Sequence, residues 1–201
     1  MFRVDWRVAL KAFAGFLVGL AIWVFLSPLY DRLLSTVAER TIRAFEKAPV
    51  TRLRPAEDNY VTVDRSDFDP RSKRPAISVR DLTFNFILML ALFAATPRPF
   101  SDRNIGAFLV SCVILGLTHV AAVITEVMSI YVAKLGPWSL AHYSNLERNL
   151  WGVANHSYRL VLMYALAFAI WWITTSGATG FSPAKNDVRR AEARRSTKRR
   201  R

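Results

Sequence analysis

Three polar residues inside one long apolar stretch carry side chains suited to nucleophilic or acid–base chemistry. Cys112, His119 and Glu126 recur at intervals of seven residues, so they lie nearly on one face of a helix. A thiolate beside an imidazole is a common activated nucleophile. Seven residues, however, rise about 10 Å along a helix, which separates Cys112 from His119 by more than a hydrogen bond. Each of the three therefore needs a partner from another helix.

Few polar residues in the other apolar stretches could supply those partners. The candidates are Asn85, Arg159 and His156, and Glu126 with Arg159 is the predicted pair because both are expected in the outer half of the membrane. A carboxylate or imidazole is costly in lipid, so this polar face is predicted to point into a bundle. Three roles stay open for His119, Glu126, Asn85 and Arg159: hydrogen bonds between helices, contact with a partner protein, and catalysis or ion passage.

A second group of polar and aromatic residues, including His142 and His156, lies in the segment between the last two apolar runs. Such residues are typical of a membrane interface, but they could also line a site. An intramembrane or membrane-surface enzyme would use Cys112, His119, Glu126, His142, His156 and Arg159. The spacing of these residues matches no metal-ligand pattern, so neither a metal nor a cofactor is predicted.

The elements that position these residues follow from how apolar and charged residues are segregated. The chain is 52% hydrophobic yet has a net charge of +13, and the apolar residues gather in four runs. This predicts an all-α membrane protein with a bundle of four transmembrane helices. The predicted spans lie within residues 1–29, 82–96, 105–133 and 158–175. The second is the weakest, because fifteen residues rise only about 22 Å. Cys112 is the only cysteine, so no intrachain disulfide forms.

Lysine and arginine counts in the flanks predict the orientation. Basic residues mark the N-terminal flank, the turn at 97–104 and the tail at 176–201. The positive-inside rule places all three in the cytoplasm, at the inner membrane of a bacterium. Residues 30–81 and 134–157 are then extracytoplasmic.

The first extracytoplasmic segment is predicted to hold an amphipathic helix and a small hairpin. The helix continues from the first span and ends by Pro49, and the strands fall near residues 60–63 and 77–79. An isolated hairpin is only marginally stable, so this one needs the bundle or another protein to support it. That dependence is a first indication of a partner.

The C-terminal tail is predicted to contact anionic lipid, since nothing in it can build a core. Nucleic acid is a less favoured partner, because aromatic residues do not alternate with the basic ones. The predicted lipid contacts are Arg194, Arg195, Lys198, Arg199, Arg200 and Arg201.

The segment from Val79 to Phe86 and the turn at Thr96 and Pro97, together with the overall layout, resemble the small multi-pass membrane proteins associated with exosortase systems. Exosortases use cysteine, arginine and histidine, but here Cys112 is deep in a span with no arginine motif after it. The resemblance therefore implies an accessory role in processing or exporting surface proteins or polysaccharide, with another membrane protein as partner. The enzyme described above is the alternative hypothesis. A transporter is weaker, because the spans show no internal repeat.

Overall fold

The structure is a computed structural model that describes residues 6–46, 50–56, 60–69 and 71–178 of the 201-residue chain. The described part is mostly helical, with one small sheet. In chain order its elements are α1 (Trp6–Phe45), β1 (Thr51–Pro55), β2 (Tyr60–Arg65), β3 (Ala76–Ser78), α2 (Val79–Leu82), α3 (Asn85–Ala95), α4 (Asp102–Ala133), α5 (Pro137–His142), α6 (Asn145–Ser157), a π-helical segment (Tyr158–Leu162) and α7 (Met163–Ala178).

Helix α1 runs unbroken for 40 residues, although Pro28 lies inside it. A proline cannot donate to the carbonyl four residues earlier, here that of Val24. The Ser27 hydroxyl donates to this carbonyl instead, at 3.4 Å. The predicted first span and amphipathic helix are therefore one element about 60 Å long. It ends at Phe45, before the predicted stop at Pro49.

Three helical stretches are long and apolar enough to cross a membrane: Trp6–Phe45, Asp102–Ala133 and Asn145–Ser176. The predicted second span corresponds to α3, which has only eleven residues. Its length alone does not establish a crossing, so the membrane-spanning count supported by length and composition is three.

Helix α3 packs against α1 at two glycines one helical turn apart. A Cβ atom at Gly15 would lie 2.4 Å from the Cβ of Ala94, and one at Gly19 would lie 3.1 Å from the Cβ of Leu90. Small residues four apart allow two helices in a membrane to approach closely. The glycines of α1 therefore fix its contact with α3.

The connection expected between the last two spans, residues 134–157, is largely helical. Helix α6 begins with a capping box, in which Ser144 and Glu147 bond each other's backbone N–H groups. It continues through the π-helical segment into α7. The last long helix thus starts at Asn145, well before the predicted start of the fourth span, because the aromatic and polar residues that suggested a loop form helix faces.

The sheet is three-stranded and antiparallel, in the order β1-β2-β3. The predicted hairpin is present as β2 and β3, with Val61 opposite Ile77. Strand β1, which pairs Leu53 with Val63, was not predicted, because only Leu53 in its sequence is a strong apolar signal.

The sheet shares one hydrophobic core with α1 and the end of α4. Leu34, Ala38 and Ile42 lie on the buried face of α1, and Tyr131 of α4 is fully buried in the same core. The bundle therefore supplies the support that the hairpin needs, which is the first of the two alternatives expected for it. We call this unit the head. It consists of the described residues from Tyr30 to Leu82, which include the end of α1, the three strands and α2.

Glu39 of α1 and Glu46, the residue that follows α1, bond the free edge of β1. Glu46 accepts a hydrogen bond from the Thr51 N–H at 3.2 Å, and Glu39 accepts one from the Leu53 N–H at 2.8 Å. Along a strand every second N–H points to the same edge, so the next one after Leu53 would belong to Pro55, which has none. Each donor on that edge is therefore bonded or absent.

Candidate functional site

A chain of hydrogen bonds crosses the interior of the bundle and joins four elements. The Tyr30 hydroxyl of α1 lies 2.8 Å from Nδ1 of His119 on α4. Nε2 of His119 lies 2.6 Å from Oδ1 of Asn85, at the start of α3. The Asn85 amide then donates to the backbone carbonyl of Met163 in α7 at 2.8 Å. Both His119 and Asn85 are completely buried.

The carbonyl at the end of this chain determines which atom donates in each of its hydrogen bonds. A carbonyl oxygen only accepts, so the amide nitrogen of Asn85 faces Met163 and its oxygen faces His119. Nε2 of His119 therefore carries the proton and donates, and Nδ1 accepts from Tyr30. Both imidazole nitrogens are thus used within the protein, and neither is left to activate the Cys112 thiol.

Glu126 forms the second polar contact between helices. Nε of Arg159 donates to Oε2 of Glu126 at 2.9 Å, and Nζ of Lys134 lies 3.8 Å from Oε1. The Glu126 side chain is 6% exposed, whereas that of Arg159 is 42% exposed. The contact predicted between Glu126 and Arg159 is present, with the carboxylate inside and the cations reaching outward. A third contact, from Asn155 to the Ser129 hydroxyl, lies nearby at 3.1 Å.

Cys112 is a free, half-buried cysteine. It lines an apolar cavity of about 260 Å³ between α1, α3 and α4, together with residues such as Tyr30, Phe86 and Leu115. This lining supplies neither an imidazole nor a cation to generate a thiolate.

The two remaining candidates lie on exposed surfaces. The His142 ring stacks on Trp138 with centroids 4.2 Å apart, and its Nδ1 bonds the Trp138 carbonyl. His156 bonds the carbonyl of Gly152 in its own helix. Of the six residues named for an enzyme, Glu126 and Arg159 contact each other, whereas Cys112, His119, His142 and His156 have separate surroundings. The convergence of several groups that this interpretation requires is not present.

The most highly connected side chain of the head is Arg65, which the sequence did not single out. Nε and Nη2 donate to the two carboxylate oxygens of Asp67 at 2.9 and 3.1 Å, and Nη1 donates to Glu46 at 2.6 Å. Bidentate arginine–carboxylate pairs combine energy with a fixed geometry. The Arg65 side chain is only 11% exposed, so these bonds are largely shielded from water.

Aromatic rings enclose the same guanidinium. Its central carbon lies 5.1 Å from the ring centroid of Tyr131 and 5.2 Å from that of Trp138, within the range of cation–π attraction. The Thr51 hydroxyl contacts both Glu46 and the Tyr131 hydroxyl. Arg65 thus joins the sheet to α1, α4 and α5.

This arrangement shifts the protonation of both partners. The hydrogen bond from Arg65 is the largest influence on Asp67 and holds the pKa of that carboxyl below its usual range. Burial alone would lower the pKa of Arg65, but its bond to Asp67 and the charges of Asp67 and Glu46 raise it overall. The head therefore holds a fixed charge pair at ordinary pH.

Several residues that position these sites were missed by sequence reasoning. Gly15 and Gly19 carry a visible signal, a small-xxx-small pattern in the first apolar run. Arg65 and Tyr30 carry none, because their partners come from distant segments. The predicted lipid contacts of the tail, Arg194, Arg195, Lys198, Arg199, Arg200 and Arg201, lie outside the described residues.

A family model described as exosortase H-associated membrane protein matches residues 4–175. No curated protein and no solved structure matches the chain. The match covers the three long apolar helices up to Thr175, the sheet and α3. The resemblance to exosortase-associated proteins is thereby confirmed, and the chain belongs to the family of exosortase H-associated membrane proteins.

Proposed function

We propose that the protein is a non-enzymatic accessory subunit of an exosortase H system, which binds the exosortase in the membrane and holds a folded head beside it. The observation that carries the proposal is family membership over residues 4–175. The polar residues of the bundle support a scaffold, because they bond one another between helices instead of facing a shared cavity.

A rigid attachment of the head to the bundle also supports this role. The C-terminal part of α1 belongs to the head, and the strands pack on it. The head is therefore joined to the first apolar segment by continuous helix. Arg65 adds contacts to Glu46, the residue that follows α1, and to Tyr131 of α4. A head held in this way keeps a fixed height above the membrane, as expected of a spacer or positioning subunit.

The proposal includes four spans, with α3 as the second. Helix α3 is short for a bilayer, but a short segment can be sheltered by neighbouring helices. Gly15 and Gly19 bring it close to α1, while Asn85 bonds it to α4 and α7. The orientation proposed is that of the basic flanks, with both termini in the cytoplasm and the head outside.

An apolar stripe on α6 is the proposed contact for the exosortase. Leu146, Leu150 and Val153 are exposed and spaced by four and three residues, so they share one helix face. Arg159 and Lys134 are partly exposed cations that favour the headgroup level. Because Leu150 precedes Arg159 by nine residues, it lies about 13 Å further along the helix axis. Leu150 would then lie above the headgroups, where lipid hydrocarbon cannot cover it. A membrane protein that projects from the bilayer could instead cover this apolar stripe.

Co-purification in mild detergent with exosortase H of the same organism tests the proposal. We expect wild-type protein to retain the exosortase and Leu150→Glu to lose at least about tenfold of it, since a charge in an apolar contact costs more than 1.4 kcal/mol. Asn145→Glu adds the same charge at an exposed position of α6 outside this face and is the matched control. Failure of the wild-type protein to retain the exosortase would reject the proposed function, and equal retention by Leu150→Glu would reject the stripe.

A further inference from the structure

A cavity opens at the N-terminal end of the bundle, between the start of α1 and the turn before α4. It has a volume of about 500 Å³, within the range of small-ligand pockets. Helices α1, α3 and α4 and the turn between the last two form its walls. Its lining includes Ala14, Val18, Phe93, Ile105 and Phe108. The ring centroids of Phe93 and Phe108 lie 5.2 Å apart in an edge-to-face contact, so these two rings form one packed part of the wall.

One cationic side chain stands in this otherwise apolar lining. Lys11 lies one helical turn before Ala14 and Gly15, so its ammonium is at the outer end of the cavity. Among the described residues it has no ion pair. An unpaired ammonium beside apolar walls matches a ligand with an anionic group at one end and a hydrocarbon chain at the other.

We propose that this cavity binds one anionic phospholipid of the leaflet at the N-terminal end of α1, with its phosphate on Lys11 and an acyl chain along Phe93 and Phe108. The position in the molecule favours this occupant. The walls belong to two of the helices long and apolar enough to cross a membrane, so lipid is the solvent at the mouth. A lysine one helical turn from membrane-facing apolar residues places its ammonium at the level of the lipid headgroups, where phosphate is the anion present.

The turn that closes the cavity supports the same occupant. Phe100 is 89% exposed and lines the cavity beside Pro99. An aromatic ring at the level of the headgroups is a frequent interfacial anchor. A bound lipid would therefore contact α1, α3, α4 and this turn at once, and would stabilise their packing. The site is independent of the exosortase contact, which lies at the opposite end of the bundle.

Native mass spectrometry after exchange into mild detergent with defined lipids tests the site. The probes are phosphatidylglycerol and phosphatidylcholine of equal chain length, offered in equal amounts. We expect one phosphatidylglycerol to be retained in preference to phosphatidylcholine. Lys11→Gln should reduce this preference about fivefold, the change that corresponds to about 1 kcal/mol for a basic residue near an anionic surface. Lys11→Arg should keep it.

Two further variants separate this site from a general effect of charge. Lys73→Gln removes one positive charge from an exposed loop of the head and should leave lipid retention unchanged. Ala14→Trp fills the cavity and should abolish retention of both lipids. Equal retention of the two lipids by the wild-type protein would overturn the proposal, as would a Lys11→Gln variant that keeps the full preference for phosphatidylglycerol.

Discussion

His119 donates its Nε2 proton to Oδ1 of Asn85 across 2.6 Å, and this contact joins the short helix α3 to the long helix α4. Both side chains are buried completely, so water does not compete for either atom. Hydrogen bonds between helices in a membrane contribute about 0.6–2 kcal/mol each. The chain from Tyr30 to Met163 contains three of them in series.

Removing Asn85 is expected to lower the free energy of unfolding by about 1–3 kcal/mol, because Asn85→Ala leaves the buried His119 N–H without its acceptor and removes the bond to the Met163 carbonyl. In a double-mutant cycle with His119→Ala, the combined loss should be smaller than the sum by about 1 kcal/mol. Unfolding in mixed detergent measures both values. Asn149→Ala, at an exposed site on α6, is the control; strictly additive losses would contradict the contact.

Gly15→Ala is expected to destabilise the protein although alanine is the better helix former. The new Cβ would lie 2.4 Å from that of Ala94, so α1 and α3 must separate. Gly106→Ala is the matched control, because a Cβ there meets nothing within 4 Å. It should gain about 0.5–1 kcal/mol from helix propensity. Thermal denaturation should therefore shift in opposite directions for the two variants, and a rise in both would reject the close packing.

Arg65→Lys is expected to loosen the head even though it keeps the charge. A lysine cannot donate to both oxygens of Asp67 while also reaching Glu46, and it loses the planar contact with the aromatic rings. We expect a loss of about 1–3 kcal/mol, seen as faster limited proteolysis between α1 and α2. Arg71→Lys, on an exposed turn, should cleave like the wild-type protein. Unchanged proteolysis of the Arg65 variant would show that the head does not depend on this side chain.

The charge pair of the head also predicts a pH dependence. The pKa of Asp67 is lowered in the folded protein, so its contribution to stability is present above the unfolded value of about 4 and is lost as the pH falls through the lower folded value. Asp67→Asn should therefore be less stable than wild type near about pH 7 and equal to it near about pH 2. Because the Asp67 side chain is 40% exposed, the difference should also shrink in high salt. A constant difference at every pH would contradict the pairing.

Long apolar helices could be predicted from the sequence, since hydropathy over about twenty residues is a strong local signal. The pairing of Glu126 with Arg159 was also accessible, because few polar residues at that depth were available as partners. Strand β1 was not, because its apolar content is one leucine and its hydrogen bonds go to β2, to Glu39 of α1 and to Glu46, the residue that follows α1. Such partners are fixed by tertiary packing.

The helices over residues 134–157 were not predicted, for a related reason. Aromatic and polar residues at this position suggested a membrane-interface loop, yet Ser144 and Glu147 also form a capping box, which marks a helix start. The last long helix therefore begins at Asn145. The capping-box sequence was visible, but the aromatic and polar composition of the segment favoured an interpretation as a membrane-interface loop.

The blocked edge of β1 determines how the head can meet other extended chains. Glu39, Glu46 and Pro55 leave no free N–H donor there, so a foreign strand would find no donor along that side. The opposite edge, β3, is only three residues long and follows a proline. Both edges of the sheet therefore disfavour the addition of strands from other polypeptides, which is the first step of fibril growth.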